Sequence, residues 1–173
     1  MNFLSYLPSP LPKNSKKTIA LYIKVKYANT LPLLKKGIFR HYMIDTLGKQ
    51  KILKFSLKNE FVSDCESFMY QKPALYSIQA IEDAKIILFK NSQLKKLSEQ
   101  YPVLARINNQ IVQQILSSYK EHLMIIMNLS PNERYQYVLQ NQPELILRIS
   151  VKYLSQFLGL SRETVSRLRS KAM

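Results

Sequence analysis

After Gly48 the chain carries one further glycine, Gly159, and it falls inside the stretch YLSQFLGLSRETVSRLRSKAM, residues 153–173. That placement constrains the fold more than any other feature. Glycine reaches positive φ without steric cost, so a lone glycine between two amphipathic stretches marks a sharp turn joining two helices. Ser155 is the small side chain that lets the helices cross closely. Val165 and Leu168, three apart, point back at the first helix, and Leu154, Leu158 and Leu160 complete a small core. Ser161 is a natural N-cap for the second helix. Its outward face then carries Arg162, Glu163, Ser166 and Arg167, with Thr164 beside them.

These side chains are suited to reading base edges. Arginine can donate two hydrogen bonds to guanine O6 and N7, and glutamate can accept from cytosine N4. A carboxylate facing a polyanion would otherwise repel phosphates, so its place among arginines favours base-specific contact over charge attraction alone. Lys152, Arg169 and Lys171 are expected to grip phosphates and fix register. A merely solvated helix face would explain neither Gly159 nor the inward spacing of Val165 and Leu168.

The formal charge of +15 points the same way, because such a surplus repels itself unless a polyanion offsets it. At 173 residues and 46% hydrophobic, the chain can bury a core of ordinary size. Its one cysteine, Cys65, excludes an internal disulfide, a four-cysteine zinc site and a protein-ligated iron–sulfur cluster. It sits in FVSDCESF, where a buried or half-buried thiol is expected. His41 and His122 lack metal-ligating neighbours at helical spacing, so neither a metal nor a cofactor is expected. No serine–histidine–aspartate, paired-carboxylate or Walker arrangement can be assembled, which argues against an enzyme. No apolar run is long enough for a membrane span, and MNFLSYLPSPLPKNSKK is a poor signal peptide, so a reducing, cytoplasmic setting is expected.

Three zones separate by pattern. Residues 1–101 hold short β-rich runs, TIALYIKVKY, GIFRHYMI, KQKILKFSL, ALYSIQAI and AKIILF, as in an antiparallel barrel or sandwich. Ser92 is placed to cap a short helix after the last of them. Residues 102–128 form one helix of about 26 residues, roughly 39 Å long, opened by Pro102. It bears two apolar stripes. Leu104, Ile107, Ile111, Ile115, Ser118, His122 and Ile125 form one; Val112, Leu116, Tyr119, Leu123 and Ile126 form the other. A helix apolar on two sides must satisfy two surfaces, one in its own chain and one on a second copy. The stripe from Ile107 to Ile125 is the expected dimer face. Residues 129–173 are helical, and Ser130-Pro131-Asn132-Glu133 reads as a capping box with proline at the first helical position.

With these residues in view, the sequence resembles the Crp/Fnr family of bacterial transcription regulators. LGLSRETVSRLR is similar to that family's recognition-helix signature, and Arg162, Glu163 and Arg167 match its base-reading Arg, Glu and Arg. YANTLPLLKKGIFRHY and the segment FSLKNEFVSDCESFMYQKPALYSIQAIEDAKIILF resemble its effector barrel. NERYQYVLQNQPELILRISVKYLSQFLGLSRETVSR is particularly similar to members from Bacteroidetes. The resemblance implies an α+β chain: a jelly-roll barrel of the cyclic-nucleotide-binding type, a long dimerisation helix and a helix-turn-helix. It implies a homodimer on an inverted-repeat operator in double-stranded DNA, with RNA polymerase and a small effector of unspecified chemistry as further partners. The alternative is a basic protein that binds DNA or RNA without sequence preference.

Two departures stand out. The family's cyclic-nucleotide binders use a Gly-Glu pair and a downstream Arg; the corresponding positions are read here as Asn59-Glu60 and Leu75, with Tyr76 adjoining. A phosphate beside Leu75 would lack its charge partner, so cyclic AMP is not the expected effector. Few residues follow Arg169, so a shortened or absent β-hairpin wing is expected.

Overall fold

A computed structural model describes residues 22–23 and 30–172, the side chains of residues 22, 23, 107 and 108 excepted. The strands are β1 (Tyr22–Ile23), β2 (Thr30–Lys36), β3 (Phe39–Ile44), β4 (Gln50–Ser56), β5 (Ser77–Ala80) and β6 (Lys85–Lys90). The helices are α1 (Cys65–Tyr70), α2 (Asn91–Gln100), α3 (Pro102–Asn128), α4 (Pro131–Asn141), α5 (Pro143–Arg148), α6 (Val151–Leu158) and α7 (Arg162–Ala172). One sheet has the order β1-β5-β3-β4, and β2 pairs antiparallel with β6 in a second. Most of the expected strand TIALYIKVKY lies outside the described residues.

The chain divides into two compact units: the described parts of residues 1–41 with residues 55–116, and residues 42–54 with residues 117–172. The boundary at 116/117 cuts α3, which the sequence had suggested as a zone of its own. Its start buries Leu104, and its end buries Ile125.

In the sheet-rich unit the core is Leu34, Phe39, Val62 and Ile78, with Tyr76, Ala80, Ala84 and Ile86 packed around it. Alternating side chains on opposed strands explain why these positions meet. Gly37 is required where it stands: its φ is +104°, and a Cβ there would lie 2.7 Å from the Ala84 Cβ. α2 starts directly out of β6, with Lys90 at its N-cap position and no capping side chain, so Ser92 does not serve as the cap. The sequence reading also passed over two short helices, α1 and α5, each of six residues. Helices that short carry too little periodicity to stand out.

The helical unit follows its sequence signals closely. Pro131 opens α4, and the Ser130 N–H donates to the Glu133 carboxylate at 2.8 Å. Bonds from the Ser130 side chain and backbone hold that carboxyl below its usual range. Ser150 caps α6 by accepting from the Tyr153 N–H, and Gly159 ends it at φ +65°. Tyr135, Val138, Leu145, Ile149, Leu154, Leu158 and Val165 are buried almost completely.

Candidate nucleic-acid interface

The turn between α6 and α7 is built as the residue types demand. The Leu160 N–H returns to the Ser155 carbonyl at 3.0 Å, a closure that needs the left-handed Gly159. Ser155 is buried, and its hydroxyl donates to the Lys152 carbonyl at 2.8 Å, so no polar atom obstructs the helix crossing. Val165, 0% exposed, seats α7, with Leu168 half-buried behind it. Ser161 accepts from the Thr164 N–H at 3.1 Å, and the two hydroxyls lie 3.0 Å apart. This is an N-cap, and it leaves Thr164 half-buried.

Arg162, Glu163, Ser166 and Arg167 are all exposed. Glu163 stands in the first turn of α7, where the helix dipole favours an anion. Hydrogen bonding from its own backbone N–H, then from Ser161, holds its carboxyl below the ordinary glutamate range. It is therefore ionised at neutral pH, as an acceptor for a base amino group must be.

Lys152 and Lys171 are exposed, and the Lys152 ammonium lies 5.7 Å from the Tyr153 ring centre. Arg169 is different. Its guanidinium donates to the carbonyls of Ile146 and Ile149, both at 2.9 Å, closing the end of α5. Arg169 is half-buried, and one of its terminal nitrogens is engaged by helix-end carbonyls. A second arginine absent from the expected set, Arg134, also lies on backbone carbonyls, at 2.7–3.0 Å.

The expected dimer face needs a similar correction. Ile111, Ile115 and Ser118 are half-buried, and nothing is described of the Ile107 side chain. His122 and Ile125, however, are used within the chain. The His122 ring stacks on Phe157 of α6 with centroids 4.4 Å apart, and Ile125 is buried. Burial pushes the His122 pKa down to about 4. The second stripe is the more open one: Leu116 is 66% and Leu123 58% exposed, with Val112, Tyr119 and Ile126 half-buried. Its spacing of four, three, four and three residues is that of a coiled-coil seam.

The expected effector residues do not gather into one site. Asn59 and Glu60 are exposed, and their backbone atoms bond β2: Asn59 N–H to Leu34 O, and Leu34 N–H to Glu60 O. Leu75 is 76% exposed, and the Tyr76 hydroxyl donates to the Ser63 carbonyl at 3.4 Å. The acid joined to this region is Asp64, which is buried. Its carboxylate accepts from the Ser67 N–H at the start of α1 and from the Leu75 N–H at 3.3 Å. Asp64 immediately ahead of CESFMY was a legible N-cap signal; its second bond, to Leu75, was not. Among the described residues no cluster of three metal-ligating side chains occurs.

Sheets, a long helix and an exposed helix-turn-helix follow one another along the chain. No family model matches it. It is 25% identical over 146 residues to the transcriptional regulatory protein btr of Bordetella pertussis and, equally, to the nitrogen fixation regulation protein FixK of Bradyrhizobium diazoefficiens. Each match covers 78% of this chain, which spans about 60% of the length of these curated relatives. Among solved structures, FixK2 of Bradyrhizobium japonicum superposes with a TM-score of 0.74 at 22% identity, over 88% of this chain and 79% of its own. A CRP-family transcriptional regulator of Thermus thermophilus superposes at 0.67 and 16% identity, over 90% and 80% respectively. The chain has the Crp/Fnr fold, and its relatives are transcription regulators.

Proposed function

We propose that this chain is a cytoplasmic, sequence-specific DNA-binding transcription regulator that acts as a homodimer on an inverted repeat. The observation that carries the reading is the division of α7: Val165 sealed inside while Arg162, Glu163 and Arg167 stand exposed with chemistry suited to base edges. The relation to btr and FixK supports it. The open stripe of Val112, Leu116, Tyr119 and Leu123 on α3 is assigned to a second copy, because its coiled-coil spacing fits the same helix of an identical chain. Pairing of that kind places two recognition helices about one DNA turn, roughly 34 Å, apart. Lys152 and Lys171 hold phosphates on either side.

Cyclic AMP is not assigned as effector. Leu75 offers no charge to a phosphate, and the Leu75 N–H is already taken by Asp64. Selection of binding sites from random duplexes tests the reading. Enrichment of a two-fold symmetric site is expected; uniform retention with a steep salt dependence would instead identify a nonspecific binder.

A further inference from the structure

One side chain that no base-reading role requires helps fasten α3 to the helix-turn-helix. Arg134, in the first turn of α4, is half-buried. Its Nε donates to the Leu129 carbonyl at 2.8 Å, one Nη to the Leu158 carbonyl at 3.0 Å and the other to the Ile126 carbonyl at 2.7 Å. Ile126 lies in the last turn of α3, Leu129 just past its end, and Leu158 closes α6. These are carbonyls that a helix leaves without partners at its C-terminus, where the dipole also favours a cation. The guanidinium lies over the turn itself, with Nη1 3.5 Å from where a Cβ on Gly159 would stand.

Two further contacts brace the same junction. The His122 ring of α3 stacks on Phe157 of α6, and the Tyr137 hydroxyl of α4 donates to the Glu121 carboxylate of α3 at 3.1 Å. The guanidinium serves the three carbonyls from three separate nitrogens held in one plane, whereas a lysine ammonium would have to serve them from a single nitrogen on a flexible stem.

We infer that Arg134 is a positioning residue: by bonding the carbonyls of Ile126, Leu129 and Leu158 together, it locks the recognition unit to the end of α3 and so sets the operator spacing the dimer accepts. The inference rests on the reading of the chain as a dimeric DNA-binding regulator. α3 carries the stripe assigned to the second copy, and α7 stands on α6 through Val165. With the α3–α6 joint rigid, the separation and rotation of the two α7 helices are fixed. With the joint loose, each α7 can swivel to find its half-site.

The test uses the full-length protein, the operator obtained by selection, and derivatives with one base pair added to or removed from the centre. One base pair turns a half-site by about a tenth of a helical turn. Arg134→Gln and the milder Arg134→Lys are compared with the parent and with Arg148→Gln, which removes an exposed ion pair to Glu144. Arg134→Gln is expected to bind the native spacing about tenfold more weakly, having lost charge-assisted bonds to helix-end carbonyls. Its discrimination against altered spacings should shrink toward none, while dimer mass and helix content match the parent. Arg134→Lys should fall between, and it carries the test if the glutamine variant does not fold. Undiminished spacing discrimination in a folded variant overturns the inference, whether affinity is retained or falls equally for every spacing. A parent that selects no symmetric site sinks the regulator reading itself, a result distinguishable from failure of the variant alone.

Discussion

The α6–α7 segment and the segment from Asn59 to Tyr76 were both marked out by sequence, and they fared differently. In α6–α7, Leu154, Ser155, Leu158 and Val165 are buried, Leu160 and Leu168 are half-buried, and Arg162, Glu163 and Arg167 face solvent. In the sheet-rich unit, Asn59 and Glu60 brace β2 and Leu75 is exposed, while the buried carboxylate is that of Asp64. The contrast follows from range. A helix pair joined by a glycine turn makes most of its core from residues a few turns apart, so helical spacing alone sorts inside from outside. A strand-and-loop site draws its partners from distant positions, and a shift of one or a few residues in alignment changes which acid is meant.

Replacing the two acids sharpens that contrast. Asp64→Ala should cost about 2 kcal/mol in denaturant unfolding, because it removes the α1 cap and leaves the Leu75 N–H unserved. Equal stability of Asp64→Ala and parent would deny Asp64 its role.

A smaller effect separates the two units by pH. His122 is neutral when buried, with its pKa lowered from 6.5 to about 4. Its contribution to stability is complete above the unfolded value. It declines as the pH falls below 6.5, because the unfolded chain takes the proton first, and it is gone once the folded pKa is passed. The parent should therefore lose about 1 kcal/mol between pH 7 and pH 5.5 relative to His122→Phe, which keeps the stack on Phe157 without titrating. Parallel pH profiles would show that the ring remains solvated.

The smallest effect is expected at Glu60. Glu60→Ala should change stability by less than Asp64→Ala does, because Glu60 is exposed where Asp64 is buried. Neither it nor the parent should take up cyclic AMP saturably in a calorimeter.

How much of the fold was legible follows the same line. Pro102 and the apolar stripes marked α3 from its first residue almost to its last, and Ser130 with Glu133 marked the start of α4. The direction of α3 was harder. Both stripes have coiled-coil spacing, and only the stack of His122 on Phe157 and the burial of Ile125 decide which one the chain uses itself. Arg169, expected on phosphate, and Arg134, on which no expectation was placed, are hard to read from sequence for a related reason. A guanidinium that bonds carbonyls some twenty residues away has the same sequence signature as one that bonds phosphate.

The central claim is that α7 reads bases, and a comparison of Arg167→Ala with the parent on every single-base variant of the selected operator tests it most directly. The substitution should cost about 1–3 kcal/mol and erase the preference at one base pair in each half-site, leaving the other positions as selective as before. Weakening by the same factor on every sequence would mean that Arg167 only attracts phosphate, and base reading by α7 would be contradicted.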